Sequence, residues 1–216
     1  MESVGARYRR LFGQGRTTER LVFFSDAVFA IALTLLVIDL RVPEGHDARS
    51  AWEVIVALVP NFFAYVISFV IIALNWMGHH RKFTVIERWD GPFIWLDFLL
   101  LFLVAFVPFP TSLLSEYGGE VASVVLYASV VGLLNLVQLA LWAYAYRHGF
   151  MTSDVDARLY RYVRNSLLVV PVVFGFSILL ALFVDATLAM YSWFLLFPAG
   201  LVQGALERRA ARQPAD

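Results

Sequence analysis

The sequence predicts an all-α integral membrane protein that crosses the bilayer six times, and three observations carry that expectation. Of its 216 residues, 60% are hydrophobic and 16% charged, a far more apolar balance than that of soluble domains, which are under half apolar on average. Six stretches approach the roughly 20 mainly apolar residues that a helix needs to cross the hydrocarbon core. The loops between them alternate between basic and acidic, as retention of Lys and Arg on the cytoplasmic side requires.

The spans are expected near residues 21–40, 54–77, 93–114, 121–146, 167–184 and 186–206, within a single domain covering residues 1–216. The first follows about twenty mostly polar residues. It is too long for a signal h-region and lacks a small-residue cleavage site, so it reads as a retained helix. Pro60 and Pro171 predict local distortion of the second and fifth spans, and Pro108 and Pro110 a kink or end in the third. Little more than Asp185 separates the last two. Gly200 and Gly204 would allow close helix contact in the sixth, although glycine is common in membrane helices anyway. Trp52, Tyr117, Trp142, Tyr144, Tyr146 and Trp193 are expected mostly near the membrane interfaces.

With six spans, fifteen of the seventeen Lys and Arg residues fall on one side, from Arg7, Arg9, Arg10, Arg16 and Arg20 through Arg81, Lys82 and Arg88, then Arg147, Arg158, Arg161 and Arg164, to Arg208, Arg209 and Arg212. Only Arg41 and Arg49 fall on the other. Both termini are therefore expected in the cytoplasm of a multi-pass protein of the plasma membrane. The outer side carries Asp39, Glu44, Asp47, Glu53, Glu116, Glu120 and Asp185. That surface would concentrate cations at an opening, or it is what positive-inside sorting leaves behind.

No cysteine is present, which excludes disulfides, thiolate metal sites and cysteine nucleophiles. Neither G-x-S-x-G, H-E-x-x-H nor a P-loop occurs, and an enzyme is not expected. His79 and His80 project about 100° apart on a helix, so they do not easily share one metal ion. No cofactor, resident metal or nucleic-acid partner is expected.

Ionisable groups inside a span are costly, at least about 2.5 kcal/mol for Asp near the centre. Here they share one depth. Arg20, Ser25 and Asp26 open the first span; Asn75, Trp76, His79 and His80 close the second; Asp97 opens the third; and Arg164, Asn165 and Ser166 precede the fifth. Arg20 and Asp26, six residues apart, lack the spacing of a local pair. Asp26 therefore needs partners from other helices, and His79 or His80 is at the right depth. The layer is either a network that fixes the first helix or a set of helix ends reaching headgroup water.

Along the first helix, Ile31, Leu35 and Ile38 stand at i, i+4, i+7 with Thr34 beside them. An aliphatic stripe of this kind can pack against a neighbour or line a pore. The run Arg20-x-x-x-Phe24-Ser25-Asp26, continuing AVFAIALTLLVIDL, resembles the signature of the transmembrane protein 175 family of endolysosomal and prokaryotic potassium channels. The likeness extends to Trp76-x-x-His79-His80 and to LLLFLVAFVPFPTSLL around Pro108 and Pro110. It covers the first three spans closely and the rest by hydropathy and order. Asp97 departs from the asparagine expected there.

The resemblance implies a homotetramer in membrane lipid, with four first helices around a central pore conducting potassium ions and with no carbonyl selectivity filter. It assigns the constriction to Ile31, Leu35 and Ile38, a selectivity layer to Thr34, and a network holding the pore helices to Arg20, Phe24, Ser25, Asp26, Trp76, His79 and His80; Asp97 adds a possible negative charge to that layer. A narrow aliphatic ring excludes water and gates by dewetting. The alternatives are a proton-coupled transporter or proton pathway using the Asp and His layer, and a structural membrane subunit. A transporter would be favoured by inverted repeats and broken mid-membrane helices, and neither is evident.

Overall fold

The computed structural model describes residues 14–15, 18–41 and 50–196. Its elements are a two-residue strand β1 (Gln14–Gly15), α1 (Glu19–Leu35) with a 3-10 extension (Leu36–Asp39), α2 (Ala51–Ala57), α3 (Val59–Phe83), β2 (Trp89–Asp90), α4 (Gly91–Phe106), α5 (Pro108–Glu116), α6 (Val121–Arg147), α7 (Ala157–Phe183) and α8 (Ala186–Tyr191), followed by a 3-10 turn (Ser192–Leu195). Five stretches are long and apolar enough to span a membrane: Glu19–Ile38, Val59–Phe83, Gly91–Glu116, Val121–Arg147 and Ala157–Phe183. Ala186–Leu195 is apolar but too short. The rest of the sixth expected span, 197–206 with Gly200 and Gly204, lies outside the described residues, as do Arg7, Arg9, Arg10, Arg16, Glu44, Asp47, Arg49, Arg208, Arg209 and Arg212.

The second expected span, 54–77, is divided. Ser50 and Glu53 form a reciprocal capping box that starts α2, and the chain breaks at Leu58, two residues before Pro60. Proline lacks the N–H that would continue the ladder but suits the first turn of the next helix. α3 then runs to Phe83, so His79, His80, Arg81 and Lys82 ride its final turns, where the charges of Arg81 and Lys82 complement the helix dipole.

Asp90 Oδ1 accepts the Phe93 N–H at 3.0 Å to cap α4. The third span bends at Val107, whose N–H reaches both the Leu103 and Val104 carbonyls, at 3.1 and 3.2 Å, just before Pro108. The fifth span, expected from residue 167, begins ten residues earlier at Ala157, because Asp156 Oδ1 accepts the Leu159 N–H at 2.7 Å. Arg158, Arg161 and Arg164 therefore lie on helix rather than in a loop. Pro171 sits inside α7 without ending it.

α6 is the central helix. Its buried residues reach into two apolar clusters, one with Phe29, Leu36, Phe93, Leu100 and Val104, the other with Val124, Tyr127, Phe174 and Trp193. Trp142 and Trp193 are buried among the helices: their Nε1–H groups reach the Tyr160 carbonyl at 3.2 Å and Ser177 Oγ at 2.7 Å. At the end where α3 stops and α4 starts, β1 pairs antiparallel with β2. The adjoining turn is tied to the loop after α6 by Glu87 N–H to the Phe150 carbonyl (2.8 Å) and Thr152 N–H to the Val85 carbonyl (2.9 Å). Gly149 supplies the positive φ, 63°, that lets the chain turn there.

Candidate pathway helix and its polar anchor

α1 has two different faces. Ser25, Phe29, Ala32 and Leu36, at i, i+4, i+7, i+11, are buried and pack toward α3 and α4. On the other face Ile31 is 59% exposed, Ile38 49% and Leu35 39%, with Thr34 exposed among them. Nothing among the described residues of the same chain covers this stripe. Thr34 Oγ1 donates to the Ile31 carbonyl at 2.8 Å. That bond uses the hydroxyl's one hydrogen and leaves its oxygen able only to accept.

The anchor is built around Asp97 on α4. Its Oδ1 lies 2.9 Å from His79 Nε2 on α3 and its Oδ2 3.1 Å from Ser25 Oγ on α1, all three residues fully buried. One carboxylate therefore ties three helices. His79 sits between the Phe29 and Phe83 rings, with centroids at 5.6 and 4.3 Å, and its Nδ1 has no partner among the described residues. An ionised carboxylate only accepts, so we place a hydrogen on Nε2, donating to Asp97.

Asp26 has a different partner from the one expected. Its Oδ1 accepts the Trp76 Nε1–H at 2.8 Å, and neither histidine reaches it. Trp76 and His79 are three residues apart on α3: the first meets Asp26, while the second is taken into the α4 contact. His80 is exposed, and its ring lies tilted against Trp76 with centroids 5.6 Å apart. Arg20 is exposed at the head of α1, and Phe24 contacts Phe98 edge-on at 5.9 Å. His79 and His80 thus face different surroundings, and no group of three metal-ligating side chains occurs among the described residues.

Two further polar clusters escaped the sequence reading. Thr111 Oγ1 lies 2.8 Å from Ser68 Oγ, which lies 2.9 Å from Tyr127 Oη, joining α5, α3 and α6. Lys82 Nζ donates to Gln138 Oε1. Asn135 and Gln138 within α6 were the available signal, since amides inside a span seek interhelical partners.

A multi-pass helical bundle with a buried polar anchor and an uncovered stripe on one helix fits a membrane protein of the channel type. The family model of the endosomal/lysosomal potassium channel TMEM175 matches residues 20–108. A potassium channel of Streptomyces collinus is 38% identical over 151 residues, spanning 67% of this chain and 73% of that protein. One of Chamaesiphon minutus is 41% identical over 134 residues, 59% of this chain and 66% of that one. The crystal structure of a lysosomal potassium-selective channel TMEM175 homologue from Chamaesiphon minutus superposes with a TM-score of 0.74 at 31% identity, covering 86% of this chain and 97% of the other. The chain belongs to the TMEM175 family of ion channels.

Proposed function

We propose that the protein is a potassium-permeable cation channel of the plasma membrane, formed by four copies whose α1 helices surround a central pore. Each copy is one domain of six spans with both termini in the cytoplasm. Ile31, Leu35 and Ile38 form an aliphatic constriction that gates by dewetting, and Thr34 offers acceptor oxygens to a partly dehydrated ion. Arg20, Phe24, Ser25, Asp26, Trp76, His79, His80 and Asp97 hold or flank the anchor that sets the angle of α1.

One observation carries this reading. The stripe is exposed in the single chain while the opposite face of the same helix is locked to Asp97 through Ser25. An apolar face left open on an anchored helix is suited to a symmetric assembly. Without a cage of carbonyls, discrimination between potassium and sodium should be modest. The names of the bacterial relatives agree with potassium as the permeant ion.

The test is reconstitution in planar bilayers with potassium on one side and sodium on the other. The reversal potential should move toward the potassium equilibrium potential, and the absence of current in either gradient would reject the channel. The fully buried Ser25, His79 and Asp97 also suit a second reading, a proton pathway. That reading requires a reversal potential that follows an imposed pH gradient.

A further inference from the structure

α3 carries a charge that conduction along α1 does not use. Lys82 lies in the last full turn of the helix, where a lysine ordinarily extends its amine toward water. It is only 7% exposed, and its amine turns into the bundle to Gln138 on α6. Gln138 is occupied on its other side, its Nε2 lying 3.1 Å from the Asn75 carbonyl and 3.2 Å from Asn75 Oδ1. Asn75 Nδ2 in turn donates to the Ile71 carbonyl at 2.9 Å. The ammonium has three donors and this one hydrogen-bond partner among the described residues. The Asp97 carboxylate of the anchor is engaged by His79 and Ser25.

Lys82 and Gln138 also line a cavity of about 230 Å³. Asn75, Gly78 and Lys82, at i, i+3, i+7, form its α3 wall. Among the described residues, a Cβ added at Gly78 would meet nothing within 4 Å, so none of them packs against that wall. At roughly 30 Å³ per water in the liquid, the space admits a phosphodiester group. Its other walls include Leu74, Val170 and Leu196, and Leu74 is 59% exposed on the outside of the bundle. A lysine in the lining, with aliphatic walls of which Leu74 is exposed on the outside of the bundle, matches an amphiphilic anion better than a free one.

We propose that this cavity binds the phosphodiester headgroup of an acidic phospholipid, with Lys82 as the charge partner and Gly78 providing the room. A zwitterionic headgroup would bring its own cation to a site that already holds one. The site lies on α3, away from the exposed stripe of α1, and its occupancy is independent of which ion the channel passes.

The full-length protein in detergent, titrated with phosphatidylglycerol or phosphatidylcholine and read by native mass spectrometry, tests this directly. Phosphatidylglycerol should be retained in preference to phosphatidylcholine. Lys82→Gln and Gly78→Leu should each weaken its binding about tenfold, the scale of one charge-assisted hydrogen bond. Arg81→Gln, at an exposed neighbour, should leave it unchanged. Circular dichroism establishes that each variant is folded, and Gly78→Leu carries the test if Lys82→Gln is not. Equal retention of the two lipids, unchanged binding by Gly78→Leu, or a loss with Arg81→Gln as large as with Lys82→Gln would overturn the proposal. Displacement by millimolar inorganic phosphate would assign the cavity to a free anion. A disulfide between Gly78→Cys and Gln203→Cys, in a chain with no cysteine of its own, would fill it with the chain's own tail. Either result would also overturn the proposal.

Discussion

α1 and α6 have similar apolar character, with mean hydropathies of 2.5 and 2.1 over their spanning windows, yet 22% of the first window is buried inside the bundle and 61% of the second. Hydropathy reports the solvent a helix tolerates and says little about its neighbours. α6 turns Tyr127, Asn135, Gln138 and Trp142 into its own chain, where each polar atom must find a partner. α1 confines its polar contacts to Ser25 and Asp26 near one end and presents aliphatic side chains and one threonine outward. Changes to α6, or to the anchor end of α1, should therefore act on folding, and changes to the stripe should act on ion flow.

The largest expected effect is at the anchor. Asp97→Leu leaves His79 and Ser25 without their shared acceptor and should cost about 3–5 kcal/mol, the scale of breaking a buried polar pair from one side, read as a lowered unfolding temperature. Asp97→Asn should fall within about 1 kcal/mol of the parent. The amide oxygen still accepts from His79, and its N–H₂ can donate to Ser25 Oγ, freeing the serine hydrogen for the Leu21 carbonyl 2.9 Å away. If Asn proves as damaging as Leu, the negative charge rather than the hydrogen bonding holds the three helices together.

A smaller loss is expected in α6. Tyr127→Phe keeps the ring in place but removes the 2.9 Å contact with Ser68, at a cost of about 1 kcal/mol. On the stripe, Thr34→Ala should leave the unfolding temperature unchanged, since the exposed hydroxyl bonds only its own helix. The same variant should lower the potassium-to-sodium permeability ratio measured from reversal potentials. A fall in stability there instead would make Thr34 a packing residue and erase the difference between the helices.

The stripe was legible because Ile31, Leu35 and Ile38 repeat with the helical period, and its exposure needed the fold. The polar layer was legible from depth, as residues buried at the same level of several spans can meet. Their pairing was not. Depth alone allowed Asp26 to meet His79, whereas rotation of α3 about its axis gives Trp76 to Asp26 and His79 to Asp97. The start of α7 was hidden because Arg158, Arg161 and Arg164 lower the hydropathy of turns that Asp156 nevertheless caps. In the sequence Lys82 reads only as a topological charge, since a sequence does not state which way a long side chain bends.

The division between a structural α6 and the conducting face proposed for α1 meets its most direct test at Ile31. Replacing it with asparagine puts a polar group on the stripe without touching the buried face, so an assembled Ile31→Asn channel should wet more readily and show a higher single-channel conductance in planar bilayers than the parent. An unchanged conductance, in protein of unchanged oligomeric size, would remove Ile31 from the constriction and contradict the assignment of the exposed stripe to the ion pathway.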